Sequence, residues 1–231
     1  MAHNPNEKIA RGKKIVAFAT SLVANNAMDS APDSRAFNDL SSLIAYLHSR
    51  RSGRPRDMVA PGPDEAQLRE ILGAATRTPD HGKLAPWRFV VVREDQRDAL
   101  SALLTGAYQR EKPDAGRLEI EAMDNFARQA PALVVALFKP VVPSKIPLWE
   151  QQLSMGAACM NLLHGAHALG FVGGWITGWP STSREVAAAF GAAGPDDRIA
   201  GFLFLGSPGR PLEERPRPIW DDVVESWQPG R

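Results

Sequence analysis

Cysteine is almost absent from this chain of 231 residues, where Cys159 stands alone. A single thiol excludes an intramolecular disulfide framework and a cysteine-rich metal site, and it suits a reducing, cytoplasmic compartment. Net charge is nearly absent too, at +1. That excludes the broad basic footprint of a nucleic-acid-binding surface, so any anion binding must come from local clusters. No apolar run approaches the roughly 20 residues that a membrane helix requires. There is no internal repeat and no low-complexity tract. Several short enzyme motifs are also missing: no G-x-G-x-x-G follows a strand, and there is no Walker loop, no H-E-x-x-H and no G-x-S-x-G. These absences argue against a Rossmann dinucleotide unit and against a P-loop.

What is present is an ordinary globular balance, with 44% hydrophobic and 23% charged residues, enough for a sizeable core. Residues 1–34 read as an N-terminal extension, partly helical or disordered. Within it Arg11-Gly-Lys-Lys14 precedes the apolar run Ile15–Ala24, which has the outline of a secretory leader. The following Ala24-Asn-Asn-Ala27 is a poor cleavage site. Residues 35–231 read as the main domain.

Ser34 is placed to cap a helix running to about Arg50, with Phe37, Leu40, Leu43, Ile44 and Leu47 on one face. Pro63-Asp64-Glu65 opens a second helix through Leu68, Ile71, Leu72 and Ala75. A strand over 88–93 follows, then helices over about 95–110 and 117–129. Ala132–Phe138 is a continuous apolar run bounded by prolines, which suits a buried strand. A long helix spans about 148–169 and stops at Gly170. Further strands are expected over 171–176 and 199–206, with a short helix between them over 183–190. The sum is a layered α/β domain with a helical excess; the strand order does not follow from it.

Three groups of residues carry the chemistry. Arg50-Arg51-Ser52-Gly53-Arg54 closes the first helix, and Arg215-Pro-Arg217 lies far along the chain. Arginine forks and a hydroxyl match the charge and acceptor geometry of a phosphate monoester, although a solvated basic helix end has the same composition. The segment Arg77-Thr-Pro-Asp-His81-Gly-Lys-Leu-Ala-Pro86-Trp87-Arg-Phe89 packs prolines, a glycine and several charges directly before a strand, where sites tend to be built. His164 and His167 stand at i, i+3 on the long helix. They read as a metal pair lacking further ligands, or as surface or interface histidines. Cys159 sits among small apolar residues and reads as a packing residue.

Taken together, these elements resemble the short branch of the nitroreductase family of FMN-dependent oxidoreductases. Arg50-Arg51-Ser52 resembles the family's Arg-[Arg/His]-Ser signature, and Arg77-x-Pro-Asp-His81 with Pro86-Trp87-Arg-Phe89 resembles that branch's second flavin-contacting segment. Trp149-Glu150-Gln151 opening the long helix, with Gly170–Gly178 after it, resembles the third. Arg215-x-Arg217 before an apolar and acidic helix resembles the C-terminal phosphate-binding pair. The resemblance implies an α+β, three-layer α/β/α fold with a central mixed, mainly antiparallel sheet. It implies a homodimer with FMN at the subunit interface, reduced by NADH or NADPH and passing hydride by a ping-pong mechanism to nitroaromatics, quinones or similar acceptors. Arg50 and Ser52 would then hold the FMN phosphate with Arg217 and Arg215, and Arg51 would lie along the ribityl chain or the phosphate. Arg54 would stand near the pyrimidine edge, and Arg77 and His81 would contact the cofactor. Trp175, Ile176 and Thr177 would line the isoalloxazine, with residues 165–170 near the nicotinamide. No protein nucleophile and no metal is required. Many family members carry Asn-x-Gln-Pro-Trp where this chain has Lys83-x-Ala85-Pro86-Trp87, which bears on redox tuning and substrate preference. Two other readings fit the residues: a non-catalytic flavin carrier or sensor, and a hydrolase or metal enzyme using His81, His164 or His167.

Overall fold

The computed structural model describes residues 37–230. The extension expected over residues 1–34, and the Ser34 cap with it, lie outside the described residues.

The apolar run Ala132–Phe138 forms strand β3, and all seven of its residues are buried. A strand buried on both faces needs a layer on each side. Leu133, Val135 and Leu137 pack with Leu100, Leu104, Ala107 and Ala127, which come from helices α3 (Arg97–Glu111) and α4 (Arg117–Arg128). Val134, Ala136 and Phe138 point the other way, into Ile71, Ala75, Met155, Cys159 and Leu162 of helices α2 (Glu65–Ala75) and α5 (Leu148–Ala168). The result is the expected three-layer α+β arrangement.

The remaining strands are β1 (Met58–Val59), β2 (Trp87–Val92), β4 (Val172–Ile176) and β5 (Arg198–Pro208). β5 lies between β3 and β4, β2 pairs with the far edge of β3, and β1 pairs with the end of β5. Every described pairing is antiparallel, so the expected mixed sheet is antiparallel throughout the described residues. β3 and β4 do run in the same direction, joined by α5, but β5 is inserted between them and takes both sets of hydrogen bonds.

The helix ends follow local chemistry. Asp64 caps α2 by accepting from Gln67 N–H, and the Gln67 side chain accepts in return from Asp64 N–H. α5 runs for 21 residues. It ends where Gly170 takes φ 84°, with Gly170 N–H bonded to His167 O and Phe171 N–H to Ala166 O, a glycine-dependent stop. Buried Arg97 ties the end of α4 down by donating to Ala127 O, Gln129 O and Ala130 O.

The first described helix, α1, is shorter than its apolar spacing suggests. It spans Leu43–Ser49 and starts at Ser42, whose hydroxyl accepts from Ala45 N–H. Its inward residue is Tyr46, while Leu40, Leu43, Ile44 and Leu47 are 51–74% exposed. The apolar stripe therefore faces away from this chain's own core.

Candidate functional site

The site begins at the end of α1. Asn38 fixes the backbone there from both sides: its amide donates to Arg51 O, and its Oδ1 accepts from Arg51 N–H at 2.9 Å. The Arg50 guanidinium donates to Ser52 Oγ at 3.3 Å. Gly53 N–H bonds to Gly173 O at 3.1 Å, which joins this basic segment to β4. The approach leaves no room for side chains: a Cβ on Gly174 would stand 2.8 Å from Gly53 O.

The C-terminal segment returns to the same place. Arg51 Nε donates to Glu213 O at 2.5 Å, Arg54 pairs with the Glu213 carboxylate at 2.7 Å, and Arg217 donates to Arg50 O at 3.4 Å. Glu214 accepts from Arg217 at 3.1 Å and from Arg215 N–H at 2.7 Å. The two basic clusters, 167 residues apart in the most separated contact, thus converge. They border a cavity of about 260 Å³ lined in part by Arg51, Ser52, Arg54, Arg210 and Glu213. Burial first, then the charge of Arg217 and to a lesser extent those of Arg215 and Arg50, lowers the hold of Arg51 on its proton, with Glu214 opposing them more strongly than either of the last two contributes. Such crowding of like charge is what a bound polyanion relieves.

β4 lies beside this cluster but divides its residues between two faces. Trp175 crosses β5 and donates through its indole to Ala200 O at 2.9 Å, over Gly201, where a Cβ would clash at 2.0 Å. Thr177 is exposed. Ile176 instead packs into the core on the α3–α4 side, so only its backbone is offered to the site. At the end of α5, Ala166 and His167 are buried, while Ala168 and Gly170 are exposed.

The segment expected to contact a flavin is held by one polar stripe of α5. Asn161 donates to Arg77 O and Thr78 Oγ1. Ser154 donates to Pro79 O and accepts from the Trp87 indole. Glu150 meets His81 Nδ1 at 2.7 Å. Asp80 closes the loop on itself by accepting from Ala85 N–H at 2.7 Å. Lys83 and Ala85 both take left-handed backbone, φ 56° and 47°, a region in which asparagine is favoured over either. The usual family asparagine at position 83 thus meets a backbone demand that the lysine here bears with strain. The Arg77 side chain is exposed, and so is that of His81.

His164 and His167 do not form a metal pair. Both direct Nδ1 at the Tyr46 hydroxyl, at 2.6 and 2.9 Å, and among the described residues no group of three His, Cys, Asp or Glu side chains could hold a metal. Burial and the nearby Arg50 charge lower the His164 pKa, and the same causes with His164 lower that of His167 to about 4. Burial pushes the Tyr46 phenol up to about 12, against a smaller effect of Arg50. Cys159 is fully buried, and that burial alone pushes its thiol up to about 12, so it packs rather than reacts.

The two halves of the site sit at opposite ends of α5 within one chain. His81 is tied to Glu150 and the Arg50 helix to His164; those anchor residues are about 21 Å apart along a helix rising 1.5 Å per residue. Asn38, Ser154, Asn161, Glu213 and Glu214 carry no motif; their roles, like that of Glu150, exist only through contacts between distant parts of the chain. No described helix is long and apolar enough to cross a membrane.

A family model described as "Nitroreductase family" matches residues 47–207. The Escherichia coli K12 protein named "Putative NAD(P)H nitroreductase YdjA" is 37% identical over 166 residues, covering 71% of this chain and 87% of its own. The crystal structure of a nitroreductase-like family protein from Bacillus cereus superimposes with a TM-score of 0.71 at 20% identity, over 84% of this chain and all of that one. A nitroreductase-type protein from Desulfovibrio desulfuricans, solved in complex with FMN, gives 0.59 at 21% identity over 80% of this chain and 97% of its own.

Proposed function

Because the chain belongs to the nitroreductase family, we propose that it is an FMN-dependent oxidoreductase that draws on NAD(P)H and reduces nitroaromatic, quinone or similar acceptors in a ping-pong cycle. The convergence of Arg50, Arg51, Ser52 and Arg217 beside β4 carries this reading. The donor set fits the group. Guanidinium groups and a hydroxyl lie close together, their mutual repulsion is relieved by a dianion, and the glycine contact between residues 53 and 174 keeps the cradle against the strand.

When bound, FMN supplies two-electron chemistry, taking hydride from the nicotinamide and passing it on. The protein's part is to bind, orient and shield. Arg50, Ser52 and Arg217 hold the phosphate, and Arg51 spans from the phosphate toward the ribityl chain. Arg54 brings a cation toward the ring, where a fixed guanidinium favours the reduced, anionic form. Trp175 and Thr177 supply the wall, together with the backbone of Ile176, while Arg77 and His81 approach from the 77–87 segment. No nucleophile or general base of the protein is required.

A homodimer accounts for the two separated halves. One α5 packed antiparallel to its twofold mate sets the Arg50 end of one subunit beside the His81 end of the other. Trp149 and Leu153 are 60% and 61% exposed on α5, and Gly156 faces open space one turn further along. The outward stripe of α1 is exposed as well, and uncovered apolar side chains of this kind are what such an interface needs.

The visible spectrum of purified, FMN-reconstituted protein tests the reading. A yellow protein bleached by NADH or NADPH, and recoloured by a quinone, is expected. A yellow protein that never bleaches points to a carrier or sensor, and failure to retain FMN overturns the proposal.

A further inference from the structure

We propose that Glu150 is a positioning residue for His81: its carboxylate holds the Nδ1 edge of the imidazole so that the Nε2 edge is turned to the flavin pocket. The inference rests on the flavin-binding, homodimeric reading above, and it gives a role to a residue for which the resemblance of Trp149-Glu150-Gln151 implied none.

Three observations carry it. First, the contact is a defined one. His81 Nδ1 lies 2.7 Å from Glu150 Oε2. An ionised carboxylate only accepts, so the shared proton sits on Nδ1, and Nε2 is left as the edge for a ligand in both the neutral and the charged ring.

Second, the loop beneath His81 is already immobilised by other means. Asn161 holds the backbone of Arg77, Ser154 holds that of Pro79, and Asp80 ties down Ala85. The freedom remaining to His81 is rotation of its own side chain, which is what Glu150 removes. Glu150, Ser154 and Asn161 lie at spacings of four and seven on α5, so one helix stripe sets both the loop and the ring.

Third, the pair contributes little to stability. The His81 side chain is 66% exposed and that of Glu150 30%, and exposed ion pairs are worth little. A residue whose loss leaves the fold intact is suited to a role in orientation. The competing account is that Glu150 simply occupies the first turn of α5, where any carboxylate is favoured. That account predicts no dependence of His81 on it.

The experiment compares wild type, Glu150→Gln, Glu150→Ala, His81→Ala and the Glu150→Ala/His81→Ala double variant. In protein stripped of FMN, nitrogen-detected NMR of the histidine rings reads the His81 tautomer. Nδ1–H is expected in wild type and largely kept in Glu150→Gln, whose amide oxygen still accepts. In Glu150→Ala the ring should pass to mainly Nε2–H. FMN affinity by fluorescence titration is expected to weaken about tenfold in Glu150→Ala, less in Glu150→Gln, and no further when His81→Ala is added to Glu150→Ala. An unchanged tautomer in Glu150→Ala overturns the inference, as do additive losses in the double variant or equal FMN affinity in all five proteins. Wild type that binds no FMN at all overturns the functional reading first and the role of Glu150 with it, whatever the tautomer.

Discussion

The hydroxyl of Tyr46 lies 2.9 Å from Nδ1 of His167, and the same oxygen lies 2.6 Å from Nδ1 of His164. One hydroxyl has one proton, so it donates to one ring and accepts from the other, and the two imidazoles are fixed as opposite tautomers. This junction fastens α1, and the arginines at its end, to α5. Tyr46→Phe removes both bonds and leaves buried ring nitrogens unpaired, at a cost of about 1–3 kcal/mol. Equilibrium denaturation should show that loss without a change in slope; an unchanged midpoint would contradict the role given to the hydroxyl.

The same junction makes stability depend on pH. His167 titrates at about 4 in the folded protein against an ordinary 6.5, chiefly because it is buried, with Arg50 and His164 adding to the effect. As pH falls, the unfolded chain takes up its proton first. Stability present above about 6.5 is therefore lost progressively as pH drops toward 4, by up to about 3 kcal/mol. Denaturation midpoints measured across that interval should fall for wild type and fall less for His167→Asn. Equal slopes in the two proteins would place the acid sensitivity elsewhere.

Gly174→Ala tests the close approach of β4 to the basic segment. The new Cβ would stand 2.8 Å from the backbone oxygen of Gly53 and 3.3 Å from Pro55, and neither can swing aside as a flexible side chain would. The strain should amount to about 1–3 kcal/mol. Because it is relieved by displacing residues 53–55, FMN affinity should fall together with the melting temperature. Loss of stability with intact affinity would show that the cradle does not depend on this contact.

Charge substitutions around the cradle should act in opposite directions. Arg50→Ala removes a charge-assisted contact of about 1.5–3 kcal/mol, and FMN should dissociate roughly ten- to a hundredfold more readily. Glu213→Gln should do the reverse, because it frees Arg54 from a carboxylate 2.7 Å away. The two side chains of that pair are 58% and 71% exposed, so the stability change should stay within about 0.5 kcal/mol. Titration of FMN fluorescence measures both variants; weaker binding in Glu213→Gln would mean that the carboxylate orients Arg54 for the ligand instead of competing with it.

Much of the architecture was legible in the chain because its signals are local. The run Ala132–Phe138 forms β3 with the same bounds, Asp64 caps α2, and Gly170 ends α5 in left-handed backbone. The failures have a common cause, which is dependence on a distant partner. The stripe Leu40, Leu43, Ile44, Leu47 carries the spacing of a core-facing helix, yet its cover is not in this chain's core, and the residue that turns inward is Tyr46. The Ile176 side chain packs on the α3–α4 core while its neighbours Trp175 and Thr177 are exposed, since period-two alternation decides which side a strand residue serves. The basic clusters were visible as clusters, but not that they meet, nor that Glu213 and Glu214 stand between them. The histidines at i, i+3 gave no hint of a tyrosine 118 and 121 residues away.

α5 touches the His81 loop through Glu150 and the Arg50 helix through His164 and His167, and its sides are set by a period of about 3.6 residues. Exchanging one side chain on it disturbs one contact. Adding a single residue between Ser154 and Asn161 would turn everything beyond by about 100° and aim one set of contacts away from its partner while the other stayed in place. The helix is thus an axle of fixed phase, and change along this lineage should accumulate in it by replacement, with gains and losses of length confined to the loops that precede and follow it.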